Sequence, residues 1–352
     1  MKKIVLLFSF TFTFTFTLLA QTFNSPESVE FDAANSRWIV GNNGAGTLVY
    51  FYPATASTVQ FASGLATGPH GIEIMGTNVY VCDGAYIRGY DLATGANNFN
   101  LNCGATFLNG LTTDGSTYLF ASDFTAKKIY RINPSANAYN IMCSTAKTPN
   151  GMYYDGANNR LVFVTWGSSA PIQAVSLADS TVSTLTSTTL SNCDGITRDN
   201  AGYWYVTNWG ANSLYRFTPT FTSPTSVMSG LNGPADIDIN TAGDSIGIPN
   251  SNGTTVVFYT GITTDVQENN SGAEISLYPN PTSGPINVTL PDHFSDGTYE
   301  VVNFWGDVVR KGNFVGSSFQ LDLPSSPGTS YLLRVTDAEG KFTYTKQFLI
   351  GK

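Results

Sequence analysis

Six short turns carry the side chains with the clearest chemical potential in this 352-residue chain. Glu27, His70, Asn109, Asn150 and Asp194 each occupy one turn, and Ala235-Asp236 occupies the sixth. Each has a proline before it or a glycine after it, and Pro69-His70-Gly71-Ile72 and Pro149-Asn150-Gly151-Met152 have both. Carboxylates, amides and an imidazole ligate hard cations, move protons and hydrogen-bond polar ligands. Asn-Gly and Asp-Gly are also favoured turn dipeptides in any protein, so each position alone has a plain structural reading. His70 by itself reads more simply as a hydrogen-bonded turn residue.

Spacing gives the set its meaning. Counted from Glu27 to Ala235, the steps are 43, 39, 41, 44 and 41 residues. A period of that size belongs to units that cannot bury their own faces and must stack on copies of themselves. Each repeat reads as a turn, a short alternating strand, an Asp/Asn/Gly turn and a second strand richer in aromatic and β-branched residues. The second strands are Arg37 to Val40, Val79 to Cys82, Tyr118 to Ala121, Leu161 to Thr165 and Tyr203 to Thr207. A third strand follows (Thr47 to Tyr52 in the first repeat), and a weaker fourth at Thr58 to Phe61, Asn98 to Leu101, Ala138 to Met142 and Thr181 to Leu185. Four strands per 40-residue repeat predict an all-β, six-bladed β-propeller over residues 21–262. The sixth repeat has no convincing fourth strand, and Gln21 to Asn24 is a short candidate to close it.

In a propeller the innermost strands line the central channel, so the six turns converge on one mouth. A glycine after the polar residue allows positive φ and close backbone approach near the axis. Loops after the second strands open on the same face and bring Asn42-Asn43, Asp83, Asp123, Trp166, Asn208-Trp209 and Asn250. Asn109, Asp83, Asp123, Trp166 and Trp209 are therefore the candidate substrate contacts. The two Trp rings suit a sugar or aromatic ring, with blade packing the more ordinary use for at least one of them.

Composition excludes several alternatives. Only 12% of residues are charged, and the formal net charge is −8, without a Lys/Arg cluster. That balance fits turn-rich β structure and disfavours nucleic acid and anionic lipid as partners. Residues 1–20 read as a signal peptide: Lys2-Lys3, an apolar stretch from Ile4 to Leu19, then Ala20. No later segment has the length of a transmembrane helix, so none is expected in the mature chain. Four cysteines in an exported chain permit disulfides; Cys103 and Cys143 hold similar places in adjacent repeats and are the candidate pair, with Cys82 and Cys193 packed or free. Two histidines cannot build a His-rich zinc site, and no Ser or Cys sits in a nucleophile elbow.

After Gly261 the period ends. Residues 263–273 are a polar linker, and 274–352 read as a small antiparallel β-sandwich with strands near Pro285 to Leu290, Tyr299 to Asn303, Ser318 to Leu323, Tyr331 to Thr336 and Phe342 to Ile350. Leu277-Tyr278-Pro279-Asn280-Pro281 with Gly284, Val301 to Val309, and Tyr331 to Val335 with Lys346 to Ile350 resemble the type A sorting domain of the type IX secretion system. The resemblance implies the type IX machinery as partner and a secreted or cell-surface location.

The repeat region is similar to gluconolactonase-like propellers of the senescence-marker and regucalcin-related family. The similarity rests on Glu27-Ser28-Val29-Glu30-Phe31-Asp32, Pro149-Asn150-Gly151-Met152 and Asp194-Gly195-Ile196. It implies one divalent cation, Ca²⁺ in first place, held by Glu27, Asn150 and Asp194, and hydrolysis of a small lactone or ester with Asp194 or His70 as base. Thr106-Phe107-Leu108-Asn109-Gly110 departs from the family's Arg-x-Asn-Asp-Gly, which puts lactonase activity in question more than cation binding. Pro69-His70-Gly71-Ile72 resembles the turns of NHL-type and streptogramin-lyase-like propellers. A non-catalytic surface propeller that binds a glycan, peptide or protein through the same mouth is the alternative.

Overall fold

A computed structural model of the chain describes residues 23–262, 275–282, 284–291, 294–303, 308–322, 330–338 and 343–350. The leader, Gln21-Thr22, the 263–273 linker and His293 lie outside the described residues. The chain divides into two compact units, 1–262 and 263–352.

The first unit is a six-bladed β-propeller. Blade one runs Pro26–Asp32, Arg37–Asn42, Thr47–Tyr52 and Ser57–Ser63, each strand antiparallel to the last. Blades two to five repeat that order, while blade six has three described strands, Asp238–Ile239, Ile246–Asn250 and Thr255–Tyr259. Burial explains which strands the sequence showed most strongly. Second strands such as Arg37–Asn42 are buried along their length because a blade is covered on both faces. Outer strands such as Ser57–Ser63 are mostly exposed and carry a weak apolar pattern. The fourth strand of blade five, Thr225–Ser229, belongs to this polar class and escaped the sequence reading.

Apolar side chains fill the wedges between neighbouring blades. Ile39 and Leu48 of blade one pack on Ile72, Val79 and Val81 of blade two. The ring is sealed in the same way: Trp38 and Phe51 of blade one meet Val256 and Phe258 of blade six. Phe23, 3% exposed, joins that cluster, and Phe23 N and Ser25 N donate to the Thr254 and Gly253 carbonyls. Among the described residues, the N-terminal segment thus ties the last blade to the first without a strand of its own.

All four cysteines are free, which corrects the expected Cys103–Cys143 pair. Cys103 packs with Tyr80, Cys82 and Leu119 between blades two and three, whereas Cys143 packs with Phe120 and Met152 between blades three and four. Equivalent places in adjacent repeats are one blade apart, and here a whole sheet lies between them.

In the second unit, Ser276–Tyr278, Ile286–Thr289 and Ser318–Leu321 form one sheet. Val308–Val315, Asp296–Val302, Ser330–Asp337 and Thr343–Leu349 form the other. Ile286, Val288, Phe294, Val301, Phe314, Leu333 and Phe348 make a single core. It is the expected sandwich, with Ser276–Tyr278 and Val308–Val315 added.

Candidate functional site

Glu27, Asn109, Asn150 and Asp194 each stand at an irregularity where an inner strand begins. The pairing register breaks between Pro26 and Ser28, between Pro149 and Met152, and between Cys193 and Ile196, around Glu27, Asn150 and Asp194 respectively. A bulge turns one residue out of the pleat and is a common way to aim a side chain. The six turns are stitched into a belt. Ser28 Oγ donates to the His70 carbonyl (2.9 Å), Gly71 N to Asn109 O (2.7 Å) and Ser122 Oγ to Asn150 O (2.9 Å). Asn150 Nδ2 then donates to Cys193 O (3.3 Å), Thr207 Oγ1 to Ala235 O (2.9 Å), and Asp236 N back to Glu27 O (3.0 Å).

The belt explains the glycines, with one correction. Gly71, Gly110, Gly151 and Gly195 do not have positive φ. They are required by crowding: a Cβ on Gly151 would stand 2.3 Å from the Asp194 carbonyl oxygen, and one on Gly110 2.3 Å from that of Asn150. Blade six carries Asp236 at this position, and its Oδ1 would lie 3.1 Å from a Cβ on Gly151. The sixth blade's carboxylate therefore occupies axial space that the glycines leave open.

Above the belt lies a cavity of about 190 Å³ lined by Glu27, His70, Asn109, Asn150, Asp194, Trp166 and Trp209, together with Asn43, Phe107, Phe124 and Ser251. Seven of the nine expected residues meet there. Asp83 and Asp123 do not. Asp83, 3% exposed, accepts from Thr67 N and Oγ1 and pairs with Arg88. Asp123, fully buried, accepts from the backbone N–H groups of Thr106, Phe107 and Ala126. Asn42 and Asn250 hold Asn24 N and Asn232 N in the same manner. In blades one, two, three and six the residue ending the second strand thus anchors the chain three residues ahead of that blade's turn position. The mouth is faced by the residue after the second strand in blades one, three, five and six (Asn43, Phe124, Trp209, Ser251) and in blade four by Trp166, which ends its own strand. Phe124 and Ser251 were readable from that offset, and Phe107 had no signal beyond lying two residues before Asn109.

The electrostatics of the mouth are unusual. Glu27 and Asp194 are 7% and 4% exposed, and Glu27 Oε2 and Asp194 Oδ1 have no hydrogen-bond partner. Burial pushes the Glu27 carboxyl well above the ordinary range, with Asp194 and Asp236 adding repulsion. Burial also lifts Asp194 to about 7, against the pull of the Asn150 amide. An isolated buried carboxylate is costly, and a bound cation is one resolution. Asn150 Nδ2 is committed to Cys193 O, which leaves the amide oxygen as the atom available to a cation. Among the described residues no three His, Cys, Asp or Glu side chains gather as metal ligands, so a cation would draw on amide oxygen as well as carboxylate. His70 Nε2 lies 3.3 Å from Asn43 Nδ2, and burial lowers its pKa to about 4, so the ring is neutral at neutral pH.

Comparisons with known proteins agree with this architecture. Residues 276–351 match the model of the secretion system C-terminal sorting domain, which identifies the second unit and places the protein in the secreted or cell-surface class, exported by the type IX system. No curated protein matches the sequence. Among solved structures, a gluconolactonase from Xanthomonas campestris superposes with a TM-score of 0.57 at 14% identity, over 68% of this chain and 86% of its own. A structure of the nidogen/laminin complex gives 0.57 at 14% identity (64% and 89%), and streptogramin B lyase 0.50 at 15% (65% and 76%). At such identities the likeness establishes the propeller fold alone. No helix among the described residues is long and apolar enough to cross a membrane.

Proposed function

We propose that this exported propeller holds a divalent cation, Ca²⁺ in first place, on Glu27, Asn150 and Asp194 and hydrolyses a small lactone or ester at the same mouth. The observation that carries the reading is the pair of unpartnered, buried carboxylate oxygens, Glu27 Oε2 and Asp194 Oδ1, in one cavity with Asn150. When bound, a divalent cation polarises a carbonyl oxygen and acidifies water. The chain supplies the rest. Asn109 and Asn43 offer amide groups to orient the substrate, and the rings of Trp166 and Trp209 exclude water on one side. Asp194 and His70 are the two groups able to take the proton of the attacking water. The neutral, weakly basic His70 stands in edge contact with Phe107 and is the poorer base, so Asp194 is assigned the proton and His70 the wall. The gluconolactonase among the structural neighbours is consistent with this chemistry.

The test is turnover of a panel of lactones and aryl esters by the mature protein with Ca²⁺ or with chelator. Glu27→Gln and Asp194→Asn should each abolish turnover while the thermal transition persists. The half-buried aromatic wall favours a second reading, a non-catalytic binder using the same mouth. Ligand retention without turnover in the unaltered protein would select it.

A further inference from the structure

The mouth has two unlike halves. Blades one and six contribute Glu27, Asn43 and Ser251. From blade two to blade five the wall is a continuous arc of rings. His70 meets Phe107 at 4.7 Å, Phe107 meets Phe124 at 5.8 Å, Phe124 meets Trp166 at 5.8 Å, and Trp166 meets Trp209 at 5.7 Å. These are not blade-packing aromatics. Trp38 and Trp204, which do that work, are 3% and 0% exposed, whereas Phe107, Phe124, Trp166 and Trp209 are only partly buried at the cavity. Four apolar side chains are left wet around a hollow of about 190 Å³, which is small for a ligand site.

We propose that the ligand of this mouth is a small uncharged molecule in which a carbonyl group is joined to a flat apolar ring. The ring lies against Phe107, Phe124, Trp166 and Trp209, and the carbonyl faces Glu27, Asn150 and Asp194. The inference rests on the proposed function for the placement at this mouth and for the cation that stands between those carboxylates and the carbonyl oxygen. Three observations select the class. Successive rings from Phe107 to Trp209 are inclined by 62–70°, which makes a concave wall rather than the single flat platform on which a sugar face stacks. A polyhydroxylated ligand would leave hydroxyls unpaired along that wall, at a desolvation cost. No Lys or Arg lines the cavity, and Glu27 and Asp194 together neutralise one divalent cation, so neither an anionic nor an ammonium ligand finds an uncompensated charge there.

Non-hydrolysable lactams separate this inference from the question of catalysis. Binding to the mature protein in saturating Ca²⁺ is followed by tryptophan fluorescence and calorimetry for 3,4-dihydroquinolin-2-one, for piperidin-2-one, which lacks the aryl ring, and for the charged 3-phenylpropanoate and phenethylammonium. Burying the aryl ring should make dihydroquinolinone bind at least about tenfold tighter than piperidinone. Both charged compounds should bind more weakly than the aryl lactam. Phe124→Leu and Trp166→Leu should narrow the difference between the two lactams to about twofold. Equal affinity for the two lactams, no binding of either, or tighter binding of a charged compound would overturn the proposal. The ligand comparison on the unaltered chain decides it even if a variant fails to fold. A protein that binds the aryl lactam but hydrolyses no ester would retain the inference and lose the hydrolase.

Discussion

The two ends of the propeller channel are both acidic, yet they manage their charge differently. At the aromatic mouth, Glu27 and Asp194 each keep an unpartnered oxygen. At the opposite end, a hollow of about 200 Å³ gathers Glu30, Glu73, Asp236 and Asp238. There Asp238 Oδ2 accepts from Phe31 N at 2.8 Å, and Glu30 Oε1 from Ile74 N at 3.4 Å. Glu30 also hydrogen-bonds Asp238, so those carboxyls settle their burial by sharing protons and backbone donors. Asp236 stands between the two groups and repels both. Carboxylate density alone therefore does not mark a cation site; carboxylates left without donors do.

The largest expected effect is on the belt that separates the two ends. Gly151→Ala places a methyl group 2.3 Å from the Asp194 carbonyl oxygen and 2.9 Å from Gly195 Cα, both backbone atoms that cannot swing aside. Propeller stability in denaturant titrations should fall by about 3 kcal/mol. Gly284→Ala in the second unit meets open space and should change the stability of that unit by less than about 0.5 kcal/mol. A tolerated Gly151→Ala would mean the blades can part at the axis, and the close convergence of the six turns would no longer follow.

Cation binding should divide the ends most sharply. Calorimetric Ca²⁺ titration of Glu27→Gln is expected to show affinity reduced about a hundredfold, since hard-cation sites depend steeply on ligand charge. Glu73→Gln, at the far end, should change it by less than about twofold. Equal losses from both would merge the two acidic groups into one electrostatic field and remove the distinction drawn above.

Much of this geometry was legible because a repeat turns sequence spacing into position. The steps from Glu27 to Ala235 were enough to bring Glu27, His70, Asn109, Asn150 and Asp194 to one cavity. What stayed hidden is set by side-chain direction within a repeat. Asp83 and Asp123 end second strands and turn into the blade to hold backbone N–H groups, whereas Phe124, one place on from Asp123, lines the mouth. Composition gives no hint of that one-residue difference. Glu30, Glu73 and Asp238 read as ordinary strand residues, and only closure of the ring makes neighbours of positions some 200 residues apart, as in the bond from Phe31 N to Asp238. Cys103 and Cys143 fail in the opposite sense: equal places in adjacent repeats look close in sequence logic and are separated by a blade.

The smallest expected effect, and the one that isolates the far end, is on pH dependence. With Ca²⁺ saturating the aromatic mouth, the carboxyls free to titrate in the channel are those of the opposite hollow. Burial raises Glu30, Glu73 and Asp236 well above their usual range, and lifts Asp238 to about 6. In the unfolded chain all four return to ordinary values near 4. Between those limits the folded state binds more protons than the unfolded one, so stability falls as pH rises. His70, held neutral by burial, opposes this because the unfolded imidazole gains a proton over the same range, so the effect is read in a His70→Gln variant: acidifying it from pH 7.5 to 5.5 should stabilise the propeller by at least about 1 kcal/mol, a rise of a few degrees in its melting temperature. Glu73→Gln removes one of the repelling charges and should flatten that slope. A melting temperature that falls on acidification over the same range would mean these carboxyls are ionised and paired, and the contrast between the two ends would have to be drawn on different grounds.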